Sequence, residues 1–242
     1  MSRLPKAPLL EVIFELKWKI TNKDDLTKYQ YLTGDLYSKI KERYPRRQTS
    51  IPPEFPIDLL ISKPVHKYSV QESAYPLVQL GPGIVTLNTN DNNYFWEEYY
   101  AWAKELIGNL FEVYSMNQSE KFQPSLIYID FLVIDFEKNN ILDYLSEKMN
   151  IKISQNFLFN KSNPKALNFG ISQEVDNGVL NISFNTGRNK EKETGLVIET
   201  KLIGNEFDPD SNIILEWLDS GHKLCSSLFK EMTKGDLYES FK

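Results

Sequence analysis

The chain predicts an α+β fold, a mainly antiparallel sheet built from two pseudo-repeated strand-helix-strands-helix halves with helices packed on one face. Three observations carry this. Short runs of alternating apolar and polar residues are joined by hairpin signals. Amphipathic helical stretches bracket those runs, and the order of elements restarts near Ser125. The restart lies in the order of elements rather than in the letters. It implies one domain, 1–242, made of two similar halves of about 1–120 and 121–242.

Taken in order, Glu11 to Ile20 alternates. Val12, Phe14, Leu16, Trp18 and Ile20 lie on one side and Glu11, Glu15, Lys17 and Lys19 dominate the other, which is a half-buried strand. Leu26, Tyr29, Leu32, Leu36 and Ile40 then recur at helical steps, with Asp24 or Asp25 as the cap and Pro45 as the stop. Pro52-Pro53-Glu54-Phe55-Pro56 reads as rigid and extended, leading into short strands at Ile57–Ile61, Lys67–Glu72 and Tyr75–Leu80. Gly81-Pro82-Gly83 turns the chain into Ile84–Asn88, and the asparagine-rich stretch to Asn93 is loop and cap for a helix from about Trp96 to Tyr114.

The second half opens with a strand from Leu126 to Phe136 and a short helix from about Ile141 to Met149. Strands follow at Lys165–Val175, Val179–Asn185 and Leu196–Ile203, the first two joined by Asp176-Asn177-Gly178. Leu167, Phe169, Ile171, Leu180, Ile182, Phe184, Val197 and Ile203 supply apolar faces, with Asn168, Ser172, Asn181 and Ser183 opposite. Glu199 and Lys201 break the pattern on the Val197 side, which points to a twisted or edge strand. Ser211 or Asn212 opens a last helix whose stripe is Ile214, Trp217, Gly221, Leu224, Leu228 and Met232.

Composition narrows the function classes. Of 242 residues 41% are hydrophobic and 25% charged, the balance of a globular protein with a real core. A net charge of −5 disfavours a dedicated nucleic-acid binder, leaving only a basic patch at Arg43, Arg46 and Arg47, itself best read as a solvated helix end. No run approaches the roughly 18 apolar residues of a membrane span, and the start has no signal-type core, so a cytoplasmic protein without membrane contact is expected.

Catalytic constellations are sparse. With two histidines, His66 and His222, in unrelated elements and one cysteine, Cys225, no metal-ligand spacing occurs. No phosphate-loop or dinucleotide string occurs either, and no cofactor is expected. Asp219, His222 and Ser226 share a helical face, but helix backbone N–H groups are already committed, so a polar stripe is the better reading. Asp130, between Tyr128 and Leu132 on a long strand, is either on a wet face or buried and paired. Cys225 and the four tryptophans read as core.

Three strings are shared with a known family. They are Pro8-Leu9-Leu10-Glu11-Val12-Ile13-Phe14-Glu15-Leu16, then Gln79-Leu80-Gly81-Pro82-Gly83 through Asn88 followed by Trp96-Glu97-Glu98, and Leu218-Asp219-Ser220-Gly221-His222. Over essentially its whole length the chain resembles a sporadically distributed bacterial family of about 250 residues with no assigned activity. Around Tyr128-Ile129-Asp130 that family favours an asparagine preceded by arginine, where this chain has aspartate. The patchy distribution implies a defence, toxin–antitoxin or immunity setting. The expected function is a non-enzymatic protein-binding component of such a system, with a neighbouring-gene partner or a homodimer open. The alternative is a sensor for a small molecule or nucleotide, its pocket between sheet and helices lined by aromatics with Asn168, Ser172 and Asn181. A third is an enzyme using His222 or Asp130. Candidate binding residues are Asn168, Ser172, Asn181, Ser183, Asp130 and His222.

Overall fold

The computed structural model describes residues 4–52, 55–72, 74–90, 92, 94–116, 119–154, 164–176 and 178–242. The expectations for Pro53, Glu54, Asn93 and Asn177 lie outside them. The first half contains β1 (Leu9–Trp18), α1 (Lys23–Ile40), β2 (Arg46–Thr49), β3 (His66–Ser69), β4 (Leu77–Gly81), β5 (Ile84–Thr89) and α2 (Trp96–Val113). The second contains β6 (Phe122–Val133), α3 (Ile141–Lys148), β7 (Asn168–Val175), β8 (Gly178–Arg188), β9 (Thr194–Ile203), α4 (Ser211–Met232) and α5 (Asp236–Ser240). The strands form one sheet in the order β2-β3-β4-β5-β1-β6-β9-β8-β7, antiparallel at every pairing, so the fold is α+β.

Strand parity decides what each face does, because alternate side chains point to opposite sides. Val12, Phe14, Leu16 and Trp18 of β1 stand opposite Leu87 and Val85 of β5 and Leu126 and Phe122 of β6. All are buried, in one apolar cluster with the inner stripes of α1, α2 and α4. A second cluster joins Ile141 and Leu145 of α3 to Leu132, Phe184, Leu196 and Ile198 on the same sheet face. Each such side chain contributes about 1.5–3 kcal/mol by leaving water, which offsets the poor helix propensity of a stretch such as Thr33-Gly34.

Local chemistry corrects several expectations. Asn22, not Asp24 or Asp25, caps α1 by accepting the Asp25 N–H at 3.0 Å, while Asp25 is buried and accepts the Thr21 hydroxyl at 2.9 Å. Ile57–Leu60 is a 3₁₀ turn rather than a strand, entered from Pro56, which has no N–H for a ladder. Arg46 and Arg47 do not end a helix: they start the fully exposed edge strand β2. The Gly81-Pro82-Gly83 turn is present, with Gly83 at φ 74° where a Cβ would lie 2.6 Å from the Trp18 carbonyl oxygen. The β9 strand is interior, between β6 and β8, and its buried face is Leu196, Ile198, Thr200 and Leu202. Glu199 and Lys201 therefore share the outer face with Val197, a one-residue change of phase that exchanges every side chain between faces. Among the described residues no helix is long and apolar enough to cross a membrane.

Candidate functional site

Tyr128 and Asp130 lie two residues apart on β6, so both project toward the helix-covered face. Tyr128 stands opposite Val12 on β1 and Thr200 on β9; Asp130 stands opposite Leu9 and Ile198. The β1–β6 register shifts between Leu9 and Glu11, a bulge at the β1–β6 seam. Beside it is a partly open cavity of about 570 Å³, bounded by the sheet, α4, α5, the residues entering α2 and the segment before β1. That size lies within the roughly 300–1,000 Å³ typical of small-molecule pockets. Its walls are largely apolar, with Pro8, Phe95, Trp96, Cys225 and Phe229 among them.

The polar groups converge on one corner. The Tyr94 and Tyr128 hydroxyls are 2.8 Å apart, and His222 Nδ1 lies 2.8 Å from Tyr128 and 3.3 Å from Tyr94. The Trp96 indole stacks on the imidazole, ring centroids 3.8 Å apart and planes 10° from parallel. Burial pushes His222 down to about 4, partly opposed by the Asp219 charge, so the ring is neutral at pH 7. Its Nε2 is buried and has no hydrogen-bond partner among the described residues. Burial also lifts both tyrosine hydroxyls well above their ordinary range, and they remain neutral.

Asp130 is the outlier of the site. It is 5% exposed, and desolvation alone pushes its carboxyl up to about 7. Among the described residues it makes no hydrogen bond or ion pair, so of the two sequence readings the structure shows a buried group and corrects the expectation that it be paired. Buried carboxylates are ordinarily compensated because the uncompensated cost is several kcal/mol. Thr200, on the adjacent strand and the same face, is equally buried and also lines the cavity.

Sequence reasoning named Asp130 and His222, and the structure brings them into one cavity. Asn168, Ser172 and Asn181 are a correction as pocket residues: with Ser183 they lie across the sheet, on the outer face of β7 and β8. There Ser172 is opposite Asn181 and Asn168 opposite Asn185. None lines the cavity, because their parity is that of Glu199 and Lys201. Tyr94, Trp96, Tyr128 and Thr200 were missed as site residues. The available signal was the Tyr128-x-Asp130 spacing, which places two polar groups on one strand face.

Other candidates resolve locally. Asp219 pairs with Lys223 at 2.6 Å, and that hydrogen bond holds its carboxyl below the usual range. His222 turns Nδ1 to the tyrosines, so Asp219, His222 and Ser226 form no hydrogen-bonded relay. Burial pushes the Cys225 thiol up to about 12, making it a wall group rather than a nucleophile. Arg43 pairs with Glu105 at 2.7 Å, and Arg46 and Arg47, as consecutive strand residues, point to opposite faces. They form no common basic patch. Among the described residues no group of three or more His, Cys, Asp or Glu could hold a metal ion. No protein-family model, curated protein or solved structure matches the chain.

Proposed function

We propose that the protein is a non-enzymatic sensor that binds a small organic molecule in the seam cavity. The observation that carries this is an aromatic-walled pocket of about 570 Å³ in which the buried Asp130 and His222 Nε2 have no partner among the described residues. A pocket with few, convergent and unsatisfied polar groups gains more from a ligand than from water alone. The test is a thermal-shift screen of metabolite-like fragments on the wild type and on Ala7→Trp, which fills the cavity from its wall. Fragments that raise the wild-type Tm and leave the Ala7→Trp Tm unchanged support the reading. A screen that stabilises both proteins equally, or neither, overturns it.

The duplicated architecture belongs to the same proposal. Read outward from the β1–β6 seam, the halves run β1-β5-β4-β3-β2 and β6-β9-β8-β7, the first with one additional edge strand. In each a helix follows the first strand and another follows the last. That order supports one domain of two related units, with the cavity at their junction.

A second reading is the protein-binding component of a defence, toxin–antitoxin or immunity-type system, which the family resemblance motivates. It is favoured by the clustering of Asn168, Ser172, Asn181 and Ser183 on the outer face beside the edge strand β7. Affinity capture from native cells tests it: a stoichiometric partner lost in Ser172→Arg supports it, and a partner-free monomer counts against it.

A further inference from the structure

The cavity's floor carries a single group able to become an anion near neutral pH. We propose that its ligand is an organic cation of the amine or amidinium class, the charged head seated on Asp130 and the apolar body against the aromatic wall. This rests on the reading of the cavity as a ligand site and adds the charge and shape of the occupant. An Asp130 side chain buried to 95%, with no donor among the described residues, is completed by N–H groups from the ligand, two of which an amidinium presents in one plane. The rings of Tyr94 and Tyr128, edge to face with centroids 6.1 Å apart, and of Trp96 supply electron-rich surface that favours a nearby cation.

The surrounding charges are compatible with this placement. From α4, His222 is neutral and Cys225 is a thiol; from the entry to α2 and from β6, Tyr94 and Tyr128 are neutral phenols. Glu97 lies close enough to interact with both His222 and Tyr94, and its carboxylate already has a partner of its own. The wall's cations are Lys230 on α4 and Lys242 after α5. Lys242 pairs with Glu239 at 2.7 Å and also lies over the Tyr238 ring. Asp219 is held by Lys223. A ligand cation therefore finds its counter-charge at Asp130, and its arrival displaces the Asp130 proton.

Calorimetric titration with benzamidine and its neutral isostere benzamide, each against the wild type and Asp130→Asn, tests this. The wild type should bind benzamidine at least about tenfold more tightly than benzamide near pH 8. That preference should shrink roughly tenfold for each pH step below the Asp130 titration. Asp130→Asn should lose the preference while still binding benzamide, which separates a lost charge from a lost fold. Equal or tighter binding of benzamide by the wild type, or an unchanged preference in Asp130→Asn, overturns the cation assignment and leaves the cavity reading standing. Binding of neither probe by a folded wild type overturns both.

Discussion

Two carboxylates flank the seam between β1 and β6 and meet opposite fates. Glu11 is opposite Ile129, one residue from Asp130, yet projects to the outer face of the sheet. There it accepts from Asn88 Nδ2 at 2.8 Å and from the Tyr75 hydroxyl at 3.1 Å, and Asn88 also accepts from the Thr86 hydroxyl at 2.6 Å. Asp130 projects to the helix-covered face and has no such partner among the described residues. The contrast separates two uses of a polar residue in a sheet. A satisfied network fixes structure, whereas an unsatisfied group beside a cavity is poised for something that enters.

The two faces should respond differently to substitution. The largest effect is expected on the helix-covered face: Leu126→Ala, fully buried beneath α4, should cost about 2–5 kcal/mol in chemical denaturation. Val133→Ala on the exposed outer face should cost under about 0.5 kcal/mol. Equal costs would break the distinction between the faces.

Next comes a pH signature confined to Asp130. Its folded-state pKa, about 7, lies above the ordinary 3.8, so as pH rises the unfolded chain loses that proton first. Relative to Asp130→Asn, the wild type should therefore lose stability between about pH 4 and pH 7, by up to about 4 kcal/mol, and be nearly equal to it below that window. A difference between the two proteins that does not change with pH would mean that Asp130 is solvated, and one that grows in favour of the wild type as pH rises would mean that it is paired. His222 acts in the opposite sense, being depressed to about 4, and is common to both proteins, so the comparison cancels it.

Smaller effects sharpen the contrast. Glu11→Ala leaves Asn88 and Tyr75 without their acceptor and should cost about 1–3 kcal/mol without altering ligand binding. Tyr128→Phe should cost about 1 kcal/mol, since Tyr94 remains near His222 Nδ1. A loss of ligand binding in Glu11→Ala, measured by titration on the folded variant, would show that the two faces are not independent.

Much of this fold was legible because alternation and helical stripes are strong signals wherever one face is dry. The strand at Val12–Trp18 and the stripe from Ile214 to Met232 illustrate this. What escaped the sequence has physical causes. Arg46-Arg47-Gln48-Thr49 carries no apolar signal because it is an exposed edge held by backbone bonds to β3. The phase of β9 was ambiguous because Val197 and Ile203 are as apolar as Leu196 and Leu202, and only pairing on both sides decides between them. The site was half legible. Asp130 and His222 are unusual residue types in their elements, but their meeting with Tyr94 and Trp96 depends on how α2 and α4 pack over the seam.

The central claim is that the seam cavity receives a ligand, and the four tryptophans provide its most direct test. Among Trp18, Trp96, Trp102 and Trp217 only Trp96 lines the cavity; Trp18 is tied to the Tyr114 hydroxyl at 2.9 Å, and Trp217 packs against Gly204. In a titration followed by the indole N–H signals, benzamidine should shift the Trp96 resonance in a saturable way and leave the other three in place. A static Trp96, or a shift shared by all four indoles, would contradict the assignment of the cavity as the binding site.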